Sequence, residues 1–154
     1  MIFGMGWETV IAGAVLTAGL VWLSVVDLHT LRLPDALTFP LIVLGIGWQL
    51  HAGDVTAGLV GAGVGYAAFV LIEMGYRKLR GRHGLGRGDA KLLAAGGAWC
   101  GWEGLPLIVL AGSFAAMIAI MLHRDKIERA GGRIPFGPFL AFGIAMVFWG
   151  QALA

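Results

Sequence analysis

Hydrophobic residues occupy 58% of the 154 positions, only 13% are charged, and the mean hydropathy is +0.84. A soluble domain carries roughly 25% charged residues, so the composition excludes an ordinary water-soluble enzyme and points to an all-α, polytopic membrane helix bundle, one domain over 1–154. The net charge of +2 argues for no nucleic-acid partner, because topology explains the basic residues, and the single cysteine, Cys100, permits neither an internal disulfide nor a four-cysteine zinc site.

The apolar runs resolve into six candidate spans, roughly Trp7 to Val26, Pro34 to Leu50, Val55 to Tyr76, Asp89 to Trp102, Leu105 to His123 and Pro135 to Ala152. A full crossing needs about 20 apolar residues, and the second and fourth runs are short by that measure. Both follow a polar loop that carries a candidate site residue, which suggests a shallow aqueous cleft. The first run ends at Asp27, and His29, Arg32, Pro34 and Asp35 follow it. Nothing basic precedes that run, so it lacks the charged region of a cleaved signal peptide and is expected to remain as the first helix. Asp35 follows a proline at a helix start, where an acid suits the helix dipole and can cap.

Gly61 and Gly65 in the third run, and Gly97 and Gly101 in the fourth, have the spacing that lets membrane helices approach closely. Ahead of the fourth run lies a glycine-rich basic stretch, Gly84-Leu85-Gly86-Arg87-Gly88-Asp89-Ala90-Lys91. Gly86 and Gly88 give the approach to Asp89 backbone freedom that bulkier residues lack. They could also let an extended peptide lie close to the main chain. Lys91 could hold Asp89 ionised, bind a substrate carbonyl, or snorkel to the interface. His29, His51, His83 and His123 are scattered without ligand spacing, so no metal is expected.

All 11 Lys and Arg residues fall in or beside three of the connections. By the positive-inside rule those loops are cytoplasmic and both termini face outward. Trp7, Trp48, Trp99, Trp102 and Trp149 then lie near the outer ends, as an interfacial belt would. Asp27 and Asp89 share the basic side, one closing a helix and the other opening one. A carboxylate at a membrane boundary is costly and is a functional-site candidate by default. Two such groups beside one water cannot both ionise easily, so the pair holds one proton near neutrality. The charged carboxylate can then deprotonate water while the protonated one polarises a peptide carbonyl. The helix ends make Asp27 the expected holder of the proton and Asp89 the expected base. The bland alternative for Asp89 is a solvated N-cap.

At this point the residues match a family. Val26-Asp27-Leu28-His29-Thr30-Leu31-Arg32-Leu33-Pro34-Asp35 resembles the first aspartate motif of the type IV prepilin peptidases, and Gly86-Arg87-Gly88-Asp89-Ala90-Lys91-Leu92 resembles their GxGD motif with its following lysine. Ala98-Trp99-Cys100-Gly101-Trp102 and Ile134-Pro135-Phe136-Gly137-Pro138-Phe139 are also similar to that family. The resemblance covers nearly the whole chain, in order. It implies that Asp27 and Asp89 are the catalytic pair of an aspartyl endopeptidase, with Gly86, Gly88, Lys91 and Asp35 binding substrate or shaping the loop. It implies cleavage of the basic leader of prepilins, pseudopilins or Flp-type prepilins, after a glycine, at the cytoplasmic face of the bacterial inner membrane. The partners would be that substrate and the lipid bilayer, with no cofactor. Bifunctional members carry an insert with paired cysteines linked to N-methylation. Here Cys100 is alone, so the resemblance is to the short, peptidase-only form.

Two other classes fit the composition. A small polytopic transporter would also carry intramembrane acids, but more naturally near the bilayer midplane. A non-catalytic assembly subunit of a pilus or secretion system would need neither aspartate.

Overall fold

The computed structural model describes residues 6–81, 86–132 and 134–154. Arg82, His83, Gly84, Leu85 and Arg133, which belong to the basic loops, lie outside the described residues. Among those described, every regular element is helical: α1 (Trp7–Thr30), α2 (Asp35–Ala52), α3 (Val55–Arg80), α4 (Arg87–Cys100), a 3-10 turn (Trp102–Gly104), α5 (Leu105–Arg129) and α6 (Gly137–Leu153). The fold is an all-α helical bundle, and its six helices follow the six apolar runs.

α1, α3 and the stretch Trp102–Arg129 are long and apolar enough to cross a membrane, and α6 is apolar but shorter. Large side chains such as Leu71, Leu110, Met121 and Leu122 are exposed on the outside of the bundle. In water that surface would be very unfavourable, whereas in hydrocarbon it is the expected solvent-facing side. The chain is that of a membrane protein.

Helices α1, α3 and α5 run further toward the basic end than their apolar stretches. α5 shows where the change occurs: His123 leaves helical geometry at φ −123° and ψ 22°, at the residue where the apolar run stops. The polar residues beyond it form a last stretch of helix, which an Arg124 Nε–Glu128 Oε1 contact of 3.1 Å spans.

α4 is the centre of the bundle. It is only 14 residues long, and from Leu92 to Cys100 every side is buried. A helix enclosed by α2, α3, α5 and α6 need not reach both faces of a bilayer, so its shortness is compatible with its place. Its closing carbonyls still need donors, as at any helix end. Gln49 on α2 donates to the Trp99 carbonyl at 3.0 Å, and Gln151 on α6 donates to that of Cys100 at 3.1 Å.

Glycines set how closely α4 is held. A methyl on Gly61 would collide with the backbone of Gly97, and a methyl on Gly97 would collide with that of Gly61. Gly65 likewise faces the Leu93 carbonyl. Gly61, Gly65 and Gly97 therefore mark helix packing, as their spacing suggested, whereas Gly101 caps the end of α4 at φ 75° and makes no such close approach.

Trp99 departs from the expected belt. It is 3% exposed, and its indole N–H donates to the Leu41 carbonyl at 2.8 Å. It is a core residue linking α4 to α2. Trp149 is partly buried and donates to Thr17 Oγ1 at 3.2 Å. Trp7 and Trp102 remain exposed, as interfacial residues should be. A tryptophan near a helix end reads the same in sequence whether its neighbour is lipid or protein.

Candidate active site

Asp27 lies in the last turn of α1, not at its very end, and the helix continues to Thr30. The turn closes on Leu31, which adopts a left-handed conformation at φ 52° and donates its N–H to the Asp27 carbonyl at 2.8 Å. A leucine pays about 1–2 kcal/mol for that geometry, and such strain clusters at functional sites. The Asp27 side chain turns inward and is buried. One carboxylate oxygen, Oδ2, accepts the main-chain N–H of Gly137 at 3.1 Å.

Gly137 is the first residue of α6. Asp27 therefore stands at the C-terminal end of one helix and the N-terminal end of another. The first disfavours a negative charge and the second favours it. For Asp27 the sequence reading counted only α1, so that half of its dipole argument for the shared proton is offset by the start of α6, while Asp89 stays in the first turn of α4. A methyl on Gly137 would collide with the Asp27 carboxyl, so this glycine is the condition for the contact. The signal was present in Phe136-Gly137-Pro138, a helix start with a proline in the first turn, but nothing in the sequence shows which carboxyl it would meet.

Asp89 is the third residue of α4. The N-cap is Gly86, whose carbonyl accepts the Asp89 N–H at 3.1 Å. Asp89 is thus not the cap, and the solvated-cap alternative fails. Its half-buried carboxyl points to the same cavity as Asp27, near enough for the two charges to interact. The cavity measures about 1080 Å³ and is open to the surroundings. Arg32, Arg87 and Lys91 are among its lining residues, and so are the apolar Phe69, Ile72, Val109 and Phe136.

The glycines of the GxGD stretch serve differently from expectation. Neither Gly86 nor Gly88 adopts positive φ, so conformational freedom is not what they supply in this state. Gly88 supplies room: a methyl there would press on Leu33 at about 3.0 Å. Gly86 has open space around it. Both line the cavity.

Asp35 and Lys91 find each other. Asp35 is the first residue of α2, after an N-cap at Pro34, and makes no capping hydrogen bond. Instead its Oδ1 meets the Lys91 ammonium in an ion pair, with Lys91 Nζ also 5.7 Å from the Phe39 ring centre. The pair ties the start of α2 to the start of α4, two residues from Asp89. The capping role expected for Asp35 is thus replaced by an inter-helix contact. Lys91 lines the cavity as well.

Glu73 is a buried acid that sequence reasoning passed over. Its signal was the stripe Gly58, Gly61, Gly65, Phe69, Glu73, all buried on one face of α3. Glycines hide such a stripe from hydrophobic patterning because they contribute little apolar character.

Residues 14–121 match the type IV leader peptidase family. Among similar proteins, a prepilin leader peptidase/N-methyltransferase of Aeromonas hydrophila is 39% identical over 157 residues, covering 99% of this chain and 54% of that protein. The protein of the same description from Xanthomonas campestris pv. campestris is 41% identical, covering 98% of this chain and 54% of its own length. That from Neisseria gonorrhoeae is 36% identical, covering 95% and 50%. The chain spans about half the length of these curated relatives. No solved structure gives a significant match. With the family match spanning most of the sequence and the aspartates of both motifs facing one cavity, the chain belongs to the type IV leader peptidase family.

Proposed function

We propose that this protein is an aspartyl endopeptidase that removes the basic leader of prepilins, pseudopilins or Flp-type prepilins, with Asp27 and Asp89 as its catalytic residues. The observation that carries this reading is that two carboxyls from different helices face one open cavity at the basic end of a membrane bundle. A protein that merely assembled or anchored a machine would have no use for that arrangement. A transporter would place its acids along a path deeper in the bundle.

In the reaction, the ionised carboxyl takes a proton from a water molecule as its oxygen bonds to the scissile carbonyl carbon. The protonated carboxyl gives its proton to the carbonyl oxygen, forming a neutral tetrahedral diol. Collapse breaks the C–N bond, with one proton passing to the leaving nitrogen and one carboxyl regaining a proton. The pair ends as it began, sharing one proton. Gly86, Gly88 and Lys91 line the cavity, and Asp35 holds Lys91 through their ion pair.

Arg77, Lys78 and Arg80 close α3 at the same end as the carboxyls, which supports placing the site on the cytoplasmic face of the inner membrane with both termini outside. The basic rim repels a basic leader, so binding rests on the apolar part of the substrate and on loop contacts. Cys100, the sole cysteine, lies buried beside the Ile144 carbonyl.

Co-expression with a candidate prepilin tests the reading. The expected result is a shortened product whose new amino terminus follows a glycine. An unshortened substrate, across prepilins, pseudopilins and Flp-type substrates alike, would contradict it.

A further inference from the structure

The cavity at the carboxyl pair is walled by two helices that are not packing partners of any extent. α3 lies against α4, α2 and the 3-10 turn, while α5 lies mainly against α6. They approach each other where α5 begins, with the Leu105 side chain against Gly65. Toward the carboxyl end, Phe69 and Ile72 of α3 and Val109 and Ser113 of α5 all face the cavity. Ile72 is 52% exposed and Ser113 is exposed as well. The cavity therefore reaches the flank of the bundle between α3 and α5, on a side where a membrane protein meets hydrocarbon.

None of those four side chains is charged. A water-filled route for a polar substrate would expose its lining to ions and hydrogen-bonding groups, whereas this flank offers apolar contact and one hydroxyl. The charged lining residues Arg32, Arg87 and Lys91 come instead from α4 and the segment after α1. Such a space suits a partner that is an apolar helix over most of its length and an extended polar segment at its end. The helix stays in the hydrocarbon and the segment reaches the carboxyls.

We infer that the gap between α3 and α5 is the lateral entry by which a membrane-embedded substrate helix brings its cytoplasmic end to Asp27 and Asp89. This rests on the proteolytic reading for the identity of the substrate. A second apolar groove, between α1 and α6 around Val21, Trp22 and Trp149, holds no carboxyl and serves as the competing route.

Cys100 is the sole cysteine, so a Cys100→Ala protein accepts single thiols cleanly. Ile72→Cys, Ser113→Cys and Val21→Cys are made in that background, labelled with a benzophenone maleimide and placed in phospholipid vesicles. The probe is a synthetic peptide with a short basic leader, a glycine and an apolar stretch of about 20 residues, long enough to span. Illumination is expected to capture the peptide at Ile72→Cys and Ser113→Cys at least tenfold more than at Val21→Cys. Equal capture at the three positions, capture mainly at Val21→Cys, or none at all would overturn the entry. Cleavage of the same peptide by the unlabelled Cys100→Ala protein reports on the proteolytic reading separately. Capture without cleavage keeps the entry and removes the protease, whereas cleavage without capture at α3 and α5 does the opposite.

Discussion

The main-chain N–H of Gly137 donates to Asp27 Oδ2 at 3.1 Å, although 110 positions separate the two residues in the chain. This contact fixes the carboxyl of α1 against the first turn of α6. A side chain held by a buried hydrogen bond and a helix terminus has little freedom to rotate, which is what a catalytic group requires.

Gly137→Ala should therefore lower activity sharply while leaving the bundle assembled. The added methyl would strike the Asp27 carboxyl and push it from its place. A displacement of about 1 Å at a catalytic group can cost on the order of 10²-fold in rate. The expected outcome is a fall of at least tenfold in kcat with unchanged helicity and membrane insertion. Activity within twofold of the parent would show that the Gly137 contact does not position Asp27.

The pair between Lys91 and Asp35 should matter less. Asp35 is more than half exposed and Lys91 about a quarter, and exposed ion pairs are worth about 0–1 kcal/mol. Asp35→Asn and Lys91→Met are each expected to retain substantial activity, within about fivefold, the conversion of such an energy at 1.4 kcal/mol per decade. The double variant should be no worse than the poorer single one, because each change removes the same contact. Additive losses in a double-mutant cycle would assign the two residues separate roles.

Glycines of α3 and α4 should separate by what they face. Gly61→Ala and Gly97→Ala would each drive a methyl into the opposing backbone of α3 or α4. Overpacking of this kind costs about 1–3 kcal/mol, read as a lower thermal midpoint in detergent. Gly63→Ala meets open space on the same helix and should leave the midpoint unchanged. A similar drop for all three would contradict the role of close approach, because alanine itself favours the helix over glycine.

Removing a donor from the end of α4 tests a different interaction. Gln49→Leu takes away the amide that serves the Trp99 carbonyl while nearly preserving volume. A buried polar group left without its partner costs about 1–3 kcal/mol. The thermal midpoint should fall by that equivalent, with cleavage retained at temperatures where the protein stays folded. No change in midpoint would show that the carbonyl finds another donor.

Much of this architecture was legible because hydrophobic runs and charged loops are local features. The six helices followed from apolar stretches, and the use of Gly61, Gly65 and Gly97 for close packing followed from their spacing, though not which helix each would meet. Asp27 and Asp89 stood out because each is an acid at the edge of an apolar run. What could not be read was partnership across the bundle. Trp99 looked interfacial because its partner, the Leu41 carbonyl, is 58 residues away. Asp35 looked like a cap because a cap is a local role, while Lys91 lies 56 residues further on. Gly137 carried no assignment at all, since its role exists only through Asp27. The proton assignment was incomplete for the same reason: a dipole argument made along the chain omits every helix that arrives from elsewhere.

The central claim is that Asp27 and Asp89 form one catalytic pair, and a cleavage assay with the purified protein in vesicles tests it most directly. Initial rates on a prepilin substrate are measured for the parent protein, Asp27→Asn, Asp89→Asn and Asp35→Asn, each checked for insertion and helicity. The account predicts no detectable cleavage by the first two variants and substantial cleavage by the third. Processing by either Asp27→Asn or Asp89→Asn at near the parent rate would contradict it.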